Sequence, residues 1–394
     1  MPHAPVYLDY HSTTPVDPRV VETMLPYFTE VFGNPASGNH PWGWRAQEAV
    51  ERARREVATL IGATPREIVF TSGATESNNL AIVGVARHAA KGRRHIVVSA
   101  IEHKSVLEQA RRLGGEGWRV SVAPVGADGI VDLDALGRLV SAETAVVGVM
   151  AANNEIGVVQ PIAAIAAIAH AAGAVLQVDA AQAAGKVPVD VNAMGIDLLS
   201  LTGHKLYGPK GCGALYVRKT MSLDPLIIGG GQERGLRSGT LNVPGIVGLG
   251  RACALCRAEM AAEGARLSGL RDRLLDGLRT RAGGVVVNGS MASRLPNNLH
   301  VSFERVDGAA LLIGIGDIAV SSGSACQSAS EKPSHVLSAI LGEDRVPSAS
   351  IRFGLGRFTT EDEIDYAVEK FAAVVSHLRG TAPTPVVVTT PADR

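Results

Sequence analysis

Short apolar runs alternate with amphipathic stretches through the first part of the chain. Runs that predict buried strands occur at 67–70, 95–99, 145–150, 174–178 and 198–201. Apolar residues between and before them recur at helical spacing, which predicts helices over 18–28, over 44–60 and up to about Ala90. Because the strand runs are unbroken and separated by helices, they predict an α/β fold with a mostly parallel sheet covered on both faces.

The pattern changes after a long helical region predicted over 243–281. Strands are predicted at 285–287, 298–303, 318–320 and 350–353, with helices near 308–315, 335–341 and 361–378. A short strand is also predicted at 6–10. We therefore expect a large domain over 14–258, a smaller α+β domain formed by 1–13 and 259–379, and a disordered Thr- and Pro-rich tail over 380–394.

Polar residues follow the predicted carboxyl ends of five strands. These residues are Thr75, His103, Asn154, Asp179, Gln182, His204 and Lys205. Each has an ordinary structural interpretation: Asp179 suits a helix N-cap, His103 a loop position and Asn154 a turn. The carboxyl ends of parallel strands lie at one edge of a sheet, where ligands bind. Together they predict one crevice in which a desolvated Lys205 amine can form a Schiff base with an aldehyde.

A loop of small residues, SSGSACQSAS at 321–330, carries Cys326 near its middle. Bulky apolar neighbours, which would bury a structural cysteine, are missing from this stretch. The composition favours an accessible thiol that acts as a nucleophile or sulfur carrier, although an incidental loop cysteine has the same pattern.

Composition narrows the remaining classes of function. Lys and Arg total 38, as do Asp and Glu, so no global charge favours nucleic acid or a membrane surface. The amino-terminal residues have no basic and apolar signal region, which predicts a cytoplasmic protein.

Cys253 and Cys256 lie at CxxC spacing inside a predicted helix and suggest core packing more than metal or redox chemistry. The P-loop, GxGxxG and GxSxG patterns are missing, and the segment at 232–240 carries two arginines that would suit an anion.

Several phrases in the chain resemble the cysteine desulfurases of the class V pyridoxal-phosphate enzymes. They run from Tyr7 to about Leu378 and read LDYHSTTP, GNPAS, FTSGATESNNLAI, EHKSVL, NNEIGVVQPI, VDAAQ, GHKLYGPKGCGALYVR, RSGTLN, SSGSAC and IRFGLGRFTT. The resemblance implies fold type I, with a mostly parallel sheet of the seven-stranded type and a smaller α+β domain. The long SSGSAC loop is similar to that of the group that works with a scaffold protein.

The resemblance also implies roles for individual residues. Lys205 would hold pyridoxal 5'-phosphate covalently, Asp179 would face the pyridine nitrogen and His103 would stack on the ring. Asn154 and Gln182 would bind near the ring hydroxyl. The phosphate would be held by Ala74, Thr75, Thr202, His204 and, from a neighbouring subunit, Thr240. Arg352 would pair with the substrate carboxylate, with Asn34 nearby. Thr202 replaces the serine of many relatives and keeps its hydroxyl.

The implied reaction converts L-cysteine to L-alanine and leaves a persulfide on Cys326. The implied partners are a second copy of the chain and a sulfur acceptor, either an iron–sulfur scaffold or a tRNA-thiolation relay. Another enzyme of the same fold, such as an aminotransferase or selenocysteine lyase, would need Lys205 and Asp179 without Cys326. A non-catalytic sulfur-transfer subunit is a third interpretation of the same residues.

Overall fold

The structure is a computed structural model that describes residues 5–90, 92–322 and 333–381. Cys326 and the predicted tail beyond Thr381 lie outside these residues. No helix within the described ranges is long and apolar enough to cross a membrane. The cytoplasmic location stays a prediction.

Helices over the described residues are α1 (Pro18–Met24), α2 (Pro26–Thr29), α3 (Pro41–Leu60), α4 (Ala74–His88), α5 (Lys104–Gly115), α6 (Leu133–Leu139), α7 (Ile162–Ala171), α8 (Val243–Arg281), α9 (Gly308–Gly314), α10 (His335–Leu341) and α11 (Glu361–Thr381). Short 3-10 turns lie at Pro65–Glu67, Gly203–Lys205, Glu233–Gly235 and Glu343–Arg345.

Strands over the same residues are β1 (Val6–Tyr7), β2 (Ile68–Thr71), β3 (His95–Ser99), β4 (Arg119–Ala123), β5 (Thr144–Gly148), β6 (Val175–Asp179), β7 (Leu198–Thr202), β8 (Gly213–Val217), β9 (Val285–Val287), β10 (Asn298–Phe303), β11 (Ile318–Ala319), β12 (Ser321–Ser322) and β13 (Ser350–Gly354).

The larger sheet confirms the predicted α/β architecture. In the described residues its strand order is β2-β8-β7-β6-β5-β3-β4. Strands β4, β3, β5, β6 and β7 are mutually parallel, and β8 runs antiparallel to both β7 and β2. The carboxyl ends of β2, β3, β5, β6 and β7 therefore lie at one edge. The loops predicted to carry polar side chains all leave the sheet there.

A smaller antiparallel sheet, ordered β12-β13-β10-β9, lies over a second apolar core. Strand β1 pairs with β11, and Val6 and Leu8 pack into this second core with side chains from α11. Helix α8 contributes to both cores: its first half lies in the core of the large sheet, against α3 and α1, and its second half lies in the second core with α11. The two predicted sets of strands thus form two layers joined by one long helix, while the domain boundaries stay predictions.

Some predicted elements differ in extent. The helix predicted over 18–28 is divided between α1 and α2, because Pro26 has no amide to continue the hydrogen-bond ladder and begins a new helix. Strand β1 ends at Tyr7, and helix α11 continues through Gly380 to Thr381, into the predicted tail. Cys253 and Cys256 are buried in α8, as expected for core residues.

Two arginines in the segment after β8 are engaged within the chain and do not support the predicted anion site. Arg234 donates to the carbonyl of Ile68 at 3.0 Å, and Arg237 pairs with Glu76 at 2.9 Å. Glu233 and Arg234 have φ values of 48° and 58°, a left-handed conformation that costs free energy in residues other than glycine. This segment is therefore held in place by polar contacts with its own chain.

The Arg54–Glu233 ion pair anchors this segment to α3 and β2. The two guanidinium Nη atoms each donate to one carboxylate oxygen at 2.8 Å, and both side chains are buried. The carboxylate also accepts from the amide of Phe70 at 2.8 Å, and the Arg54 guanidinium lies 4.6 Å from the centre of the Phe70 ring. Removing either charge would leave the other buried without its partner.

We predict that Arg54→Met lowers the free energy of unfolding by about 3 kcal/mol, because the Glu233 carboxylate would stay buried without its cation. Urea denaturation followed by fluorescence measures the change. Arg119→Met is the matched control, since Arg119 and Glu143 form an exposed pair and its loss should leave the midpoint unchanged. Equal midpoints for wild type and Arg54→Met would contradict the anchoring role.

Candidate active site

A cavity of about 580 Å³ lies at the carboxyl edge of the large sheet. Ten predicted site residues line it: Ala74, Thr75, His103, Asn154, Asp179, Gln182, Thr202, His204, Lys205 and Arg352. Residues without a predicted role there include His11, Ser12, Thr13, Ser72 and Glu76. The predicted convergence of separate loops is therefore observed for the described residues.

Lys205 ends the 3-10 turn that follows β7, so the strand delivers its amine to the cavity. Its Nζ donates to the backbone carbonyl of Ser12 at 2.6 Å and also to that of His11. Thr14 holds the turn from the other side, because its amide and hydroxyl both donate to the carbonyl of His204, at 2.9 and 3.0 Å. The amino-terminal segment thus fixes the position of the lysine.

The turn beyond Lys205 is reinforced by cation–π contacts. Tyr207 has a φ of 59°, and its amide donates to the Thr14 hydroxyl at 2.9 Å. The Lys186 ammonium and the Arg357 guanidinium each lie 4.3 Å from the centre of the Tyr207 ring. These contacts stabilise a strained backbone immediately after the lysine.

Asp179 ends the neighbouring strand β6 and is 5% exposed. One carboxylate oxygen accepts from Asn78 Nδ2 at 2.7 Å, and the other accepts from the amide of Ala181 at 2.9 Å. Asn78 is in turn held by Gln177 Nε2, which donates to its Oδ1 at 3.0 Å. Asn78 was not predicted as a supporting residue, although it lies in the phrase FTSGATESNNLAI that marked this region.

The amino terminus of α4 forms one wall of the cavity. Gly73 immediately precedes the helix with a φ of 150°, and a Cβ there would lie 3.4 Å from the Thr202 hydroxyl. Gly213 is required behind it, because a Cβ at that position would lie 2.6 Å from the Cα of Gly73. The first amides of a helix have no partner within the helix and attract anions. With the Thr75 and Thr202 hydroxyls in the same lining, this wall suits a phosphate group.

The imidazoles of the cavity are kept neutral by burial. His103 caps α5, since its Nδ1 accepts from the amide of Ser105 at 3.1 Å, and burial lowers the pKa of its imidazole. Burial, reinforced by the nearby Lys205 cation, also lowers the pKa of His204 to about 4. Neutral rings leave the positive charge of the cavity with the lysine and arginine side chains.

His11 is a site residue that the sequence reasoning missed, although it lies in the phrase LDYHSTTP. Its Nδ1 lies 2.8 Å from Gln182 Oε1, and Gln182 Nε2 donates to the His11 carbonyl at 3.0 Å. Burial, with the Arg352 cation next in importance, lowers the pKa of His11 to about 3. Its Nε2 is buried and has no hydrogen-bond partner among the described residues. The Gln182 amide, predicted to bind a ring hydroxyl, is already engaged by His11.

Arg352 enters the cavity from β13 of the smaller sheet and is 5% exposed. Its Nη1 donates to the Asn154 carbonyl at 2.8 Å, and Nη2 lies 2.9 Å from the Asp9 carboxylate. Nη2 also donates to the hydroxyls of Ser12 and Ser321, both at 2.8 Å. Nε is buried and lacks a partner within the described ranges. The Nε hydrogen and the second Nη1 hydrogen therefore have no acceptor among the described residues.

Asn34 and Thr240 lie elsewhere. Both are exposed, and neither lines the cavity. The Asn34 side chain accepts from the amide of Ala36 at 2.9 Å and closes its own turn. Their predicted roles, toward the substrate and toward a neighbouring subunit, stay predictions, as does that of Cys326.

Comparison with known proteins identifies the relatives of this chain. The model of the class-V aminotransferase family matches residues 6–367. The chain is 53% identical over 382 residues to a cysteine desulfurase IscS of Anaeromyxobacter sp. (strain K), covering 96% of this chain and 94% of that protein. It is 50% identical over 381 residues to a cysteine desulfurase of Homo sapiens, covering 96% and 83%.

Two solved structures are similar to this chain over most of its length. A NifS-like protein superposes with a TM-score of 0.89 at 40% identity, covering 95% of this chain and all (100%) of that one. The structure of SspA in complex with cysteine gives a TM-score of 0.78 at 37% identity, covering 90% and 100%. These matches confirm the predicted fold, fold type I.

We predict that His11 makes folding stability depend on pH. Its pKa is lower in the folded chain, so the unfolded chain binds the proton first as the pH falls below about 6.5, and stability falls with it. One such group removes about 2 kcal/mol between pH 7.5 and pH 5.

Urea midpoints of wild type and His11→Gln at these two pH values measure the effect. Wild type should lose more stability than the variant on acidification. Identical losses would contradict a neutral buried imidazole at this position.

Proposed function

The chain belongs to the cysteine desulfurases of the class-V aminotransferase family, and we propose that its cavity converts L-cysteine to L-alanine and passes the sulfur to Cys326. The observation that carries this proposal is the meeting of three side chains at one cavity: Asp179 from β6, Arg352 from β13 and Lys205 from the turn that follows β7. An amine, a buried carboxylate and a guanidinium are the groups that an amino-acid substrate and a pyridoxal cofactor require.

Class-V aminotransferases are a pyridoxal-phosphate-dependent family, and the described residues fit that group. The start of α4, with the Thr75 and Thr202 hydroxyls, suits its phosphate. Asp179, held by Asn78, would face the pyridine nitrogen, and His103 would lie against the ring. The unpartnered His11 Nε2 is a further polar atom in the same lining. When bound, the cofactor supplies an electron sink conjugated to the Cα of the substrate.

The side chains of the chain supply binding and proton transfer. Lys205 would anchor the cofactor, and its amine, once released by the incoming substrate, would take the Cα proton. Asp179 would keep the pyridine nitrogen protonated by charge. Arg352 would orient the substrate carboxylate through guanidinium hydrogens that have no acceptor among the described residues. Asn154 fixes this guanidinium through its carbonyl.

The sulfur step needs a thiol nucleophile. The described cysteines, Cys212, Cys253 and Cys256, are buried and do not line the cavity, so we propose Cys326. Its thiolate would attack the sulfur of L-cysteine, forming an S–S bond while the Cβ–S bond breaks. The electron pair of that bond stays with carbon, and Cβ receives a proton, which gives L-alanine. Cys326 then carries a persulfide, and a thiol reductant or an acceptor protein takes the outer sulfur.

The other readings have less support. An aminotransferase or a selenocysteine lyase would share Lys205 and Asp179. The relatives reported above are named cysteine desulfurase, and the match to this chain covers most of their length. A non-catalytic sulfur-transfer subunit would not need a buried carboxylate facing a lysine-bearing cavity. Neither alternative accounts for the small-residue stretch around Cys326.

We also propose a homodimer that delivers sulfur to an acceptor protein of the iron–sulfur or tRNA-thiolation type. Large apolar side chains on the first helices are exposed, including Leu25, Phe28, Trp42 and Trp44, each more than half exposed. Exposed large apolar side chains in this number support a contact with another protein chain. Thr240, exposed and outside the cavity, is available to complete the phosphate site of a second copy.

We predict that Cys326→Ser abolishes formation of alanine and sulfide from L-cysteine in the presence of dithiothreitol, because the hydroxyl cannot form a persulfide. The variant should keep the visible absorption band of the bound cofactor and the melting temperature of wild type. Both products and the band are measured on purified, cofactor-loaded protein.

The spectrum separates loss of chemistry from loss of cofactor. A variant as active as wild type would contradict the role of Cys326 and reopen the reaction class around Lys205 alone. Wild-type protein that binds the cofactor and makes neither product would contradict the desulfurase assignment.

A further inference from the structure

The described residues on both sides of the stretch that carries Cys326 are hydrogen-bonded to lining residues of the cavity or to their sequence neighbours. Upstream, Ser321 in β12 pairs with Arg352 in β13. Its hydroxyl accepts from Arg352 Nη2 at 2.8 Å and donates to the Asp9 carboxylate at 2.8 Å. The chain therefore leaves the described region next to the guanidinium assigned to the substrate carboxylate.

Downstream, the chain returns at the start of α10. The Ser334 hydroxyl donates to the Glu155 carboxylate at 2.5 Å, and it also caps α10 by accepting from the amides of Val336 and Leu337, both at 3.2 Å. His335 Nε2 lies 3.0 Å from the carbonyl of Glu102. Glu102 directly precedes His103, so this end is bonded beside another lining residue.

The hydrogen bonds from the two sides of the Cys326 stretch lead to consecutive residues, Asn154 and Glu155. Asn154 binds Arg352, which holds Ser321, and Glu155 binds Ser334. Burial raises the pKa of the Glu155 carboxyl group, so its position costs free energy that an exposed carboxylate would avoid. The loop after β5 is thus linked to Ser334 directly and to Ser321 through Arg352.

We propose that Glu155 and Ser334 are positioning residues for the sulfur-transfer step, a role that rests on the function proposed above. Cys326 lies five residues after Ser321 and eight before Ser334, so the two anchors limit its reach to about 18 Å and about 28 Å respectively. Loss of the second anchor would leave the thiol restrained from one end only, which lowers its effective concentration at the substrate sulfur. The Glu155–Ser334 hydrogen bond therefore acts on the rate of persulfide formation and not on substrate binding.

The test compares Ser334→Ala, Ser334→Thr and Glu155→Ala with wild type in the cofactor-loaded full chain. Single-turnover mass spectrometry gives the rate of persulfide formation on Cys326, and spectral titration gives the Kd for L-cysteine. We expect Ser334→Ala to slow persulfide formation roughly tenfold while the Kd stays within about twofold of wild type. Ser334→Thr keeps the hydroxyl and should restore the rate.

A double-mutant cycle isolates the bond itself. If the two residues act through their mutual contact, Ser334→Ala combined with Glu155→Ala should lose no more than either single variant. Ser338→Ala, on the same helix and with no described side-chain bond, is the matched control and should match wild type. If Ser334 only caps α10, Ser334→Ala would lower the melting temperature, and the persulfide rate would not fall relative to the Kd for L-cysteine.

A wild-type persulfide rate in Ser334→Ala, or additive losses in the double variant, would overturn the proposal. An equal loss in Kd and rate would also overturn it, because that pattern indicates a damaged substrate site. Failure of the proposed function gives a different result: Cys326→Ser would then be as active as wild type, whatever the Ser334 variants do.

Discussion

Arg352 donates hydrogen bonds to both layers of the chain. It belongs to the small sheet, yet it binds the Asn154 carbonyl at the edge of the large sheet and the Asp9 carboxylate of the amino-terminal segment. The same guanidinium holds the Ser321 hydroxyl. Most of the donors of this buried cation are paired, which offsets the cost of removing its charge from water. One side chain therefore links the amino-terminal segment, the small sheet and the edge of the large sheet.

The cavity combines positive charge with neutral imidazoles. Lys205 and Arg352 bring cations to it, and burial lowers the pKa values of His11, His103 and His204. Each cation also lowers the pKa of a neighbouring imidazole, which keeps those rings uncharged. An open helix terminus and these cations favour anionic ligands, while neutral rings can lie against an aromatic group. This electrostatic arrangement accommodates a phosphate, a carboxylate and a planar ring together.

Regular elements with strong patterns were predictable from the sequence. Strand β3, helix α8 and helix α10 begin and end where the apolar spacing predicted. Strand β4 was missed because it lies at the sheet edge and carries exposed residues, including Arg119. Strand β8 was missed because glycines precede it and no polar residue of interest follows it.

The lining of the cavity was predictable where a strand delivers a residue to the sheet edge, as for Asp179 and Lys205. The partners of those residues were not. His11 lies 171 residues before Gln182, and Asn78 reaches Asp179 from a helix across the sheet. Contacts of this range depend on the packing of whole layers, which local spacing does not encode. The hydrogen-bond partners of the Gln182 amide are likewise set by His11, which contacts both its oxygen and its nitrogen.

The most direct test of the account is the identity of the lysine that carries the cofactor. Reduction of the pyridoxal-phosphate-loaded chain with borohydride makes the link permanent, and peptide mass spectrometry then locates it. The account predicts a label on Lys205 alone, although Lys210 lines the same cavity and Lys104 adjoins His103. A label on either of those lysines, or an unlabelled chain, would contradict it.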